Sequence, residues 1–157
     1  MSVFISEPKY YSTKAITLYS KYIGKVYRGT VPDNVISEIT VLVVRLKNYI
    51  DESYILKFPN LKYVISPTTG LNHICKETCL KHNITIISLN DCKEEIKDVT
   101  ATPEHTIGLM LCLVRNIVGA VNSVSSSLAW DRDNFRGRQL SGLNLGIVGL
   151  GRIGLQV

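Results

Sequence analysis

Four consecutive apolar residues, Val41, Leu42, Val43 and Val44, stand with no polar residue alternating among them. A strand with one wet face alternates apolar and polar side chains, so this run belongs to a strand covered on both faces. Helical crossovers between parallel strands cover a sheet in that way, and the surrounding sequence fits them. Short Val- and Ile-rich runs at 3–6, 25–27, 40–45, 61–66 and 84–88 alternate with helix-like stretches at 12–22, 51–58 and 76–81. Phe58, Pro59 and Asn60 close the second of these helices. The expected fold class is α/β with a parallel sheet.

Composition narrows the class of molecule. With 157 residues, 45% of them hydrophobic, the chain can form one ordinary domain or two small ones. The apolar run at 109–114 is far short of the roughly 20 residues that a membrane span needs. The start, MSVFISEPKYY, lacks the long apolar core of a signal peptide, so a cytoplasmic protein with no membrane partner is expected. The net charge of +5 is spread over Lys9, Lys14, Lys21, Lys25, Arg45, Lys62, Lys81, Arg115 and Arg138 without a dense block, which argues against nucleic acid. The four cysteines are expected to be reduced. Cys75, Cys79 and His82 share one helical face at i, i+4 and i+7, with His73 upstream. A structural zinc site usually draws paired ligands from separate elements, so no metal is expected.

A second unit begins near residue 100. Thr102 suits an N-cap, Pro103 the first helical position, and Glu104 the positive end of the helix dipole. The helix is expected to run from about 103 to 124, with apolar residues around most of its circumference and burial on several sides. Glu104 and His105 are sequence neighbours, about 100° apart on a helix, so structural roles fit them better than an acid/base pair. Arg115 reads as a structural charge, with clamping of a carboxylate as the alternative. Residues 125–142 are polar and turn-prone, an arm with Trp130 and Phe135 as anchors.

Two stretches carry chemistry. Residues 143–148 read as a strand leading into Gly149, Gly151 and Gly154 at the spacing of a turn that holds a dinucleotide pyrophosphate. Gly149 would make the tight turn, Gly151 would admit close approach of the phosphates, and Gly154 would let the next helix pack closely. The second stretch, ISPTTGLNHI at 65–74, follows a strand. There Thr68, Thr69, Gly70 and Leu71 can turn backbone N–H groups towards an anion at the carboxyl end of the sheet; an ordinary connecting loop is the other reading.

The segments NLKYVISPTTGLNHI, TATPEHTIGLMLCLVRNI and WDRDNFRGRQLSGLNLGIVGLGRIG, in this order and spacing, resemble the D-isomer-specific 2-hydroxyacid dehydrogenases over roughly residues 38–157. The resemblance implies a flavodoxin-like substrate domain at 1–99 and the incomplete start of a Rossmann domain at 100–157. It implies NAD as cofactor, with NADP the alternative, a small 2-hydroxy or 2-oxo acid as substrate, and a homodimer formed through the nucleotide domain. By the same resemblance Thr68, Thr69, Gly70 and Leu71 meet the substrate carboxylate, and Gly149, Gly151, Arg152, Ile153 and Gly154 belong to the pyrophosphate loop. Two departures are visible. Leu46 stands where some relatives place a serine near the substrate, which argues against a phosphoglycerate-type substrate, and Cys75 stands where relatives often open a helix with aspartate.

The family's catalytic arginine, glutamate and histidine lie downstream of the glycine loop, so no catalytic residue is expected within these 157 residues. The resemblance thus implies an inactive front part of a dehydrogenase, with a non-catalytic binding or dimerisation module as the alternative. A single strand and its following turn lack neighbours to complete a parallel sheet, so residues 100–157 are expected to be less well supported than the first sheet.

Overall fold

The structure is a computed structural model that describes residues 1–127 and 132–157. The chain forms two compact units, Met1–Glu94 and Glu95–Val157.

The first unit holds a five-stranded parallel sheet with order β2-β1-β3-β4-β5, the flavodoxin-like arrangement. Its strands are β1 (Ser2–Ile5), β2 (Lys25–Arg28), β3 (Ile39–Val43), β4 (Tyr63–Ser66) and β5 (Thr85–Ser88). The ends of each lie within one residue of the expected run except that β3 ends two residues early and β4 begins two late. The apolar run lies at the centre as expected: Leu42 and Val44 are fully buried on one face, and Val41 and Val43 pack on the other. Full burial of each such side chain contributes roughly 1.5 to 3 kcal/mol.

Helices supply the cover. The larger core gathers Phe4, Leu42, Ile55, Phe58, Val64 and Cys79 among others, bringing in α2 (Glu52–Ile55) and α3 (Lys76–Lys81). On the opposite face Ile16 and Tyr19 of α1 (Thr13–Tyr22) pack against Val3, Ile5, Val41 and Val43. Ser12 caps α1 by accepting the Ala15 N–H at 3.1 Å, and Asp51 caps α2 by accepting that of Tyr54 at 2.9 Å. Cys75, at the N-cap of α3, makes no side-chain capping bond. Two short 3-10 turns, Asp33–Glu38 and Leu89–Asp91, complete the unit; neither has the length or periodicity to be read from sequence.

The second unit corrects several expectations. Instead of one helix over 103–124 there are two, α4 (Ala101–Val114) and α5 (Ile117–Ser127), bent by 65° to each other. Between them Asn116 adopts φ +52°, a left-handed conformation that asparagine tolerates and that a helix cannot continue through. Thr100, not Thr102, occupies the N-cap, and its hydroxyl donates to Glu104 at 2.5 Å. Pro103 is therefore the third helical residue, still within the first turn, where a missing N–H costs nothing. Burial on several sides is not found: within α4 only Pro103 is buried, and Leu113 is 82% exposed.

Nor do residues 143–148 form a strand. An extended segment needs a neighbour to take its N–H and C=O groups, and the described residues of this unit contain no other strand to serve as one. Trp130 lies outside the described residues. No single helix among the described residues is long and apolar enough to cross a membrane; α4 and α5 reach that length only as a bent pair.

Candidate functional site

In the first unit the loops that leave the carboxyl ends of β1, β3 and β4 are tied together by charge and by backbone. The Glu7 carboxylate accepts the backbone N–H of Arg45 at 3.0 Å and that of Lys47 at 3.2 Å, joining the loop after β1 to the loop after β3. The Arg45 guanidinium donates to the Lys9 carbonyl at 3.1 Å, a second link between the same loops. The Ile50 N–H donates to the His73 carbonyl at 2.8 Å, and the Cys75 N–H to the Ile50 carbonyl at 2.9 Å, which ties in the loop after β4. A cleft of about 430 Å³ results, lined by Leu46, Lys47, Asn48, Tyr49, Gly70, Asn72 and His73. Leu46 is 69% exposed on its wall, an apolar surface at the position of the serine expected in some relatives.

The loop at 68–71 is held through its carbonyl groups. The Thr68 carbonyl accepts the Leu89 N–H at 3.2 Å, the Thr69 carbonyl accepts from Asn90 Nδ2 at 2.7 Å, and the Gly70 carbonyl accepts from Thr68 Oγ1 at 2.8 Å. The Ser88–Asp91 capping box fixes the segment that supplies the first two donors. Across each trans peptide the N–H points opposite to the carbonyl, so the N–H groups of Thr69, Gly70 and Leu71 are turned away from these anchors. None of the three donates to an acceptor among the described residues. Three neighbouring free N–H groups on a loop held by its carbonyls form a concavity suited to an anion.

Ser66 and His73 belong to the same site and had no signal in the sequence beyond polar identity. Seven positions apart, they meet because β4 ends at Ser66 and the loop returns over it; Ser66 Oγ lies 3.0 Å from His73 Nε2 and 2.7 Å from Thr68 Oγ1. Both are buried, Ser66 at 1% exposure and His73 at 9%. Glu7 and Asn90 were also missed, because their partners lie 38 and 21 residues away.

The other sequence candidates separate. Cys79 lies in the core, where burial pushes its thiol above the usual range. His82 Nε2 sits 2.8 Å from Glu52, His73 faces Ser66, and Cys75 Sγ accepts from Thr78 Oγ1 at 3.1 Å. Among the described residues no group of three or more His, Cys, Asp or Glu is placed to hold a metal ion. Glu104 bonds Thr100, His105 is exposed, and Arg115 is exposed at the end of α4 rather than deep in an apolar helix.

In the second unit the glycines keep their conformations although the strand before them is missing. Gly149 has φ +94°, which an L side chain resists, and a Cβ on Gly154 would strike the Gly149 carbonyl and meet Ile147, while the space beside Gly151 is open. The Leu155 N–H donates to the Gly151 carbonyl at 2.9 Å and the Val157 N–H to that of Ile153 at 3.1 Å, the first bonds of a helix. The N–H groups of Gly151, Arg152, Ile153 and Gly154 donate to no acceptor among the described residues. The Arg152 side chain turns the other way, donating to the Val99 carbonyl at 2.9 Å.

Residues 107–157 match the family described as D-isomer specific 2-hydroxyacid dehydrogenase, NAD binding domain. A D-3-phosphoglycerate dehydrogenase of Methanocaldococcus jannaschii is 35% identical over 122 residues, covering 78% of this chain and 22% of the relative. One from Archaeoglobus fulgidus is 30% identical, covering 100% of this chain and 29% of the relative. The crystal structure of an Aquifex aeolicus D-lactate dehydrogenase complexed with NAD and lactic acid has the same fold over 99% of this chain and 46% of that one, with a TM-score of 0.76 at 22% identity. The chain thus spans less than a third of the two sequence relatives and about half of the structural one.

Proposed function

The chain belongs to the D-isomer-specific 2-hydroxyacid dehydrogenase family, and from that premise we propose that it is the front part of an NAD-dependent enzyme that interconverts a 2-hydroxy acid and its 2-oxo acid. In this reading Met1–Glu94 is the substrate domain and Glu95–Val157 the incomplete start of the nucleotide domain. The observation that carries it is the triplet of free N–H groups at Thr69, Gly70 and Leu71, which would receive the substrate carboxylate. Gly149, Gly151, Arg152, Ile153 and Gly154 would hold the dinucleotide diphosphate: the open side of Gly151 and the unpaired N–H groups of 151–154 suit it. Bound there, NAD or NADP supplies the hydride acceptor and donor of the reaction.

Within the chain, His73 is committed to Ser66, His82 to Glu52, and His105 is exposed on α4, so none is set to move the substrate's proton, and the 157 residues alone are proposed to be inactive. Four free cysteines suit the reducing cytoplasm. Homodimerisation is proposed through α4 and α5, where Leu109, Leu113, Val118, Val121 and Val124 are each at least half exposed.

Three charge-assisted N–H bonds at roughly 1.5 to 3 kcal/mol each leave only about millimolar affinity or weaker once association entropy is subtracted. An amide-resolved NMR titration of the 15N-labelled chain tests the reading. D-lactate should move the resonances of Thr69, Gly70 and Leu71, and NAD those of 149–154; saturating shifts confined to other residues, or none, would reject it.

A further inference from the structure

The bond directions at the cleft follow from a count of hydrogens. Gly70 contributes a carbonyl oxygen, which accepts only, so the single hydroxyl hydrogen of Thr68 goes to it. Thr68 Oγ1 must then accept from Ser66 Oγ at 2.7 Å, which uses the one hydroxyl hydrogen of Ser66. At 3.0 Å from His73 Nε2, Ser66 has only a lone pair left to offer, so the imidazole carries its hydrogen on Nε2 and donates. Every bond runs one way: His73 Nε2–H to Ser66, Ser66 to Thr68, Thr68 to the Gly70 carbonyl.

We propose that His73 is a positioning residue, whose donation through Ser66 and Thr68 fixes the Gly70–Leu71 peptide and strengthens the Leu71 N–H as a donor to the substrate carboxylate. Chains of hydrogen bonds with one direction polarise each other, by about 10 to 30% per bond. A donor on the Gly70 oxygen draws charge along the amide, raises the C–N double-bond character and makes the Leu71 N–H more positive. The preceding two peptides have their carbonyls taken by Leu89 and Asn90, so all three anion-facing N–H groups share this polarisation. The histidine end of the chain is buried on the cleft wall, so substrate contact at Leu71 and a side chain two residues further on become one cooperative unit. The benefit to binding rests on the carboxylate reading of the loop, whereas the direction of the chain does not.

The test uses the full 157-residue chain, 15N-labelled. Long-range proton–nitrogen correlation should show a hydrogen on His73 Nε2; a bare Nε2, with the hydrogen on Nδ1, would overturn the proposal. Thr68→Val removes the hydroxyl at nearly constant volume and should shift the Leu71 amide proton upfield in the free protein. It should also weaken D-lactate by roughly three- to tenfold, the worth of one neutral hydrogen bond, and Thr68→Ser should restore affinity to within about twofold. His73→Gln, which keeps a donor, should resemble the wild type, and His73→Leu should resemble Thr68→Val. An unchanged Leu71 amide in Thr68→Val, or failure of Thr68→Ser to rescue a folded protein, would refute the relay. Should His73→Leu not fold, Thr68→Val on the loop decides alone. Should the wild type ignore D-lactate altogether, the proposed function falls, while the tautomer and the Leu71 shift still decide for or against the relay.

Discussion

Residues 39–44 and residues 143–148, ITVLVV and LNLGIV, both read as strands in the sequence, yet only the first is one. Val41 to Val44 sit between β1 and β4, their backbone groups paired on both sides and their side chains covered on both faces. Leu145 is 57% exposed, and Val148 is fully exposed. Asn144 and Gly146 lower the strand propensity of the second segment, and the described residues of its unit hold no strand to pair with it. A glycine turn, by contrast, needs few neighbours: Gly149 and Gly154 adopt their special geometry without any sheet, because backbone freedom at a single residue and one close approach decide it.

Substitutions of one chemistry in both regions expose this difference. Leu42→Ala, at a fully buried position, should cost roughly 2 to 5 kcal/mol in denaturant unfolding, whereas Leu145→Ala should stay within about 0.5 kcal/mol. Next come the glycines. Gly24→Ala places a Cβ against the Met1 carbonyl at φ +139° and should destabilise by roughly 1 to 3 kcal/mol, whereas Gly151→Ala meets open space and should leave unfolding unchanged. If Gly151 serves the diphosphate, that silent change should abolish the NAD-induced amide shifts.

Capping gives smaller effects of opposite sign. Ser12→Ala removes the cap of α1 and should cost about 1 kcal/mol, and Cys75→Asp, supplying α3 with a missing acceptor, should add roughly 0.5 to 1 kcal/mol. The smallest effect is electrostatic. Hydrogen bonds from Lys81 and then His82 hold the Glu52 carboxyl below its ordinary range. Its folded pKa is depressed, so its contribution is present above the ordinary glutamate value and lost as pH falls through the lowered one. Glu52→Gln should therefore reduce the loss of stability as pH falls below the ordinary glutamate range, a slight change since Lys81 is exposed and Glu52 and His82 are only partly covered.

The first unit was legible because its strands and helices are written locally: 76–81 emerged with the bounds of α3, and the helices expected from Ser12 and Asp51 begin one residue later, with those two residues as their caps. What escaped was non-local. Ser66 and His73 meet only once β4 ends where it does, and Glu7 reaches the loop after the neighbouring strand, to backbone 38 residues away. The bend at Asn116 had a signal, an asparagine amid apolar residues, that the helical pattern outweighed. The strand at 143–148 was misread for a physical reason: pattern reports what a segment can do, and pairing depends on what lies beside it.

Amide hydrogen exchange by NMR tests that dependence most directly. Slow exchange should be confined to β1, β3 and β4 and their covering helices, with residues 143–157 exchanging at rates close to those of unstructured peptide. Protection of Leu145 to Val148 comparable to that of Val41 to Val44 would contradict it, by showing that the glycine-loop segment is paired after all.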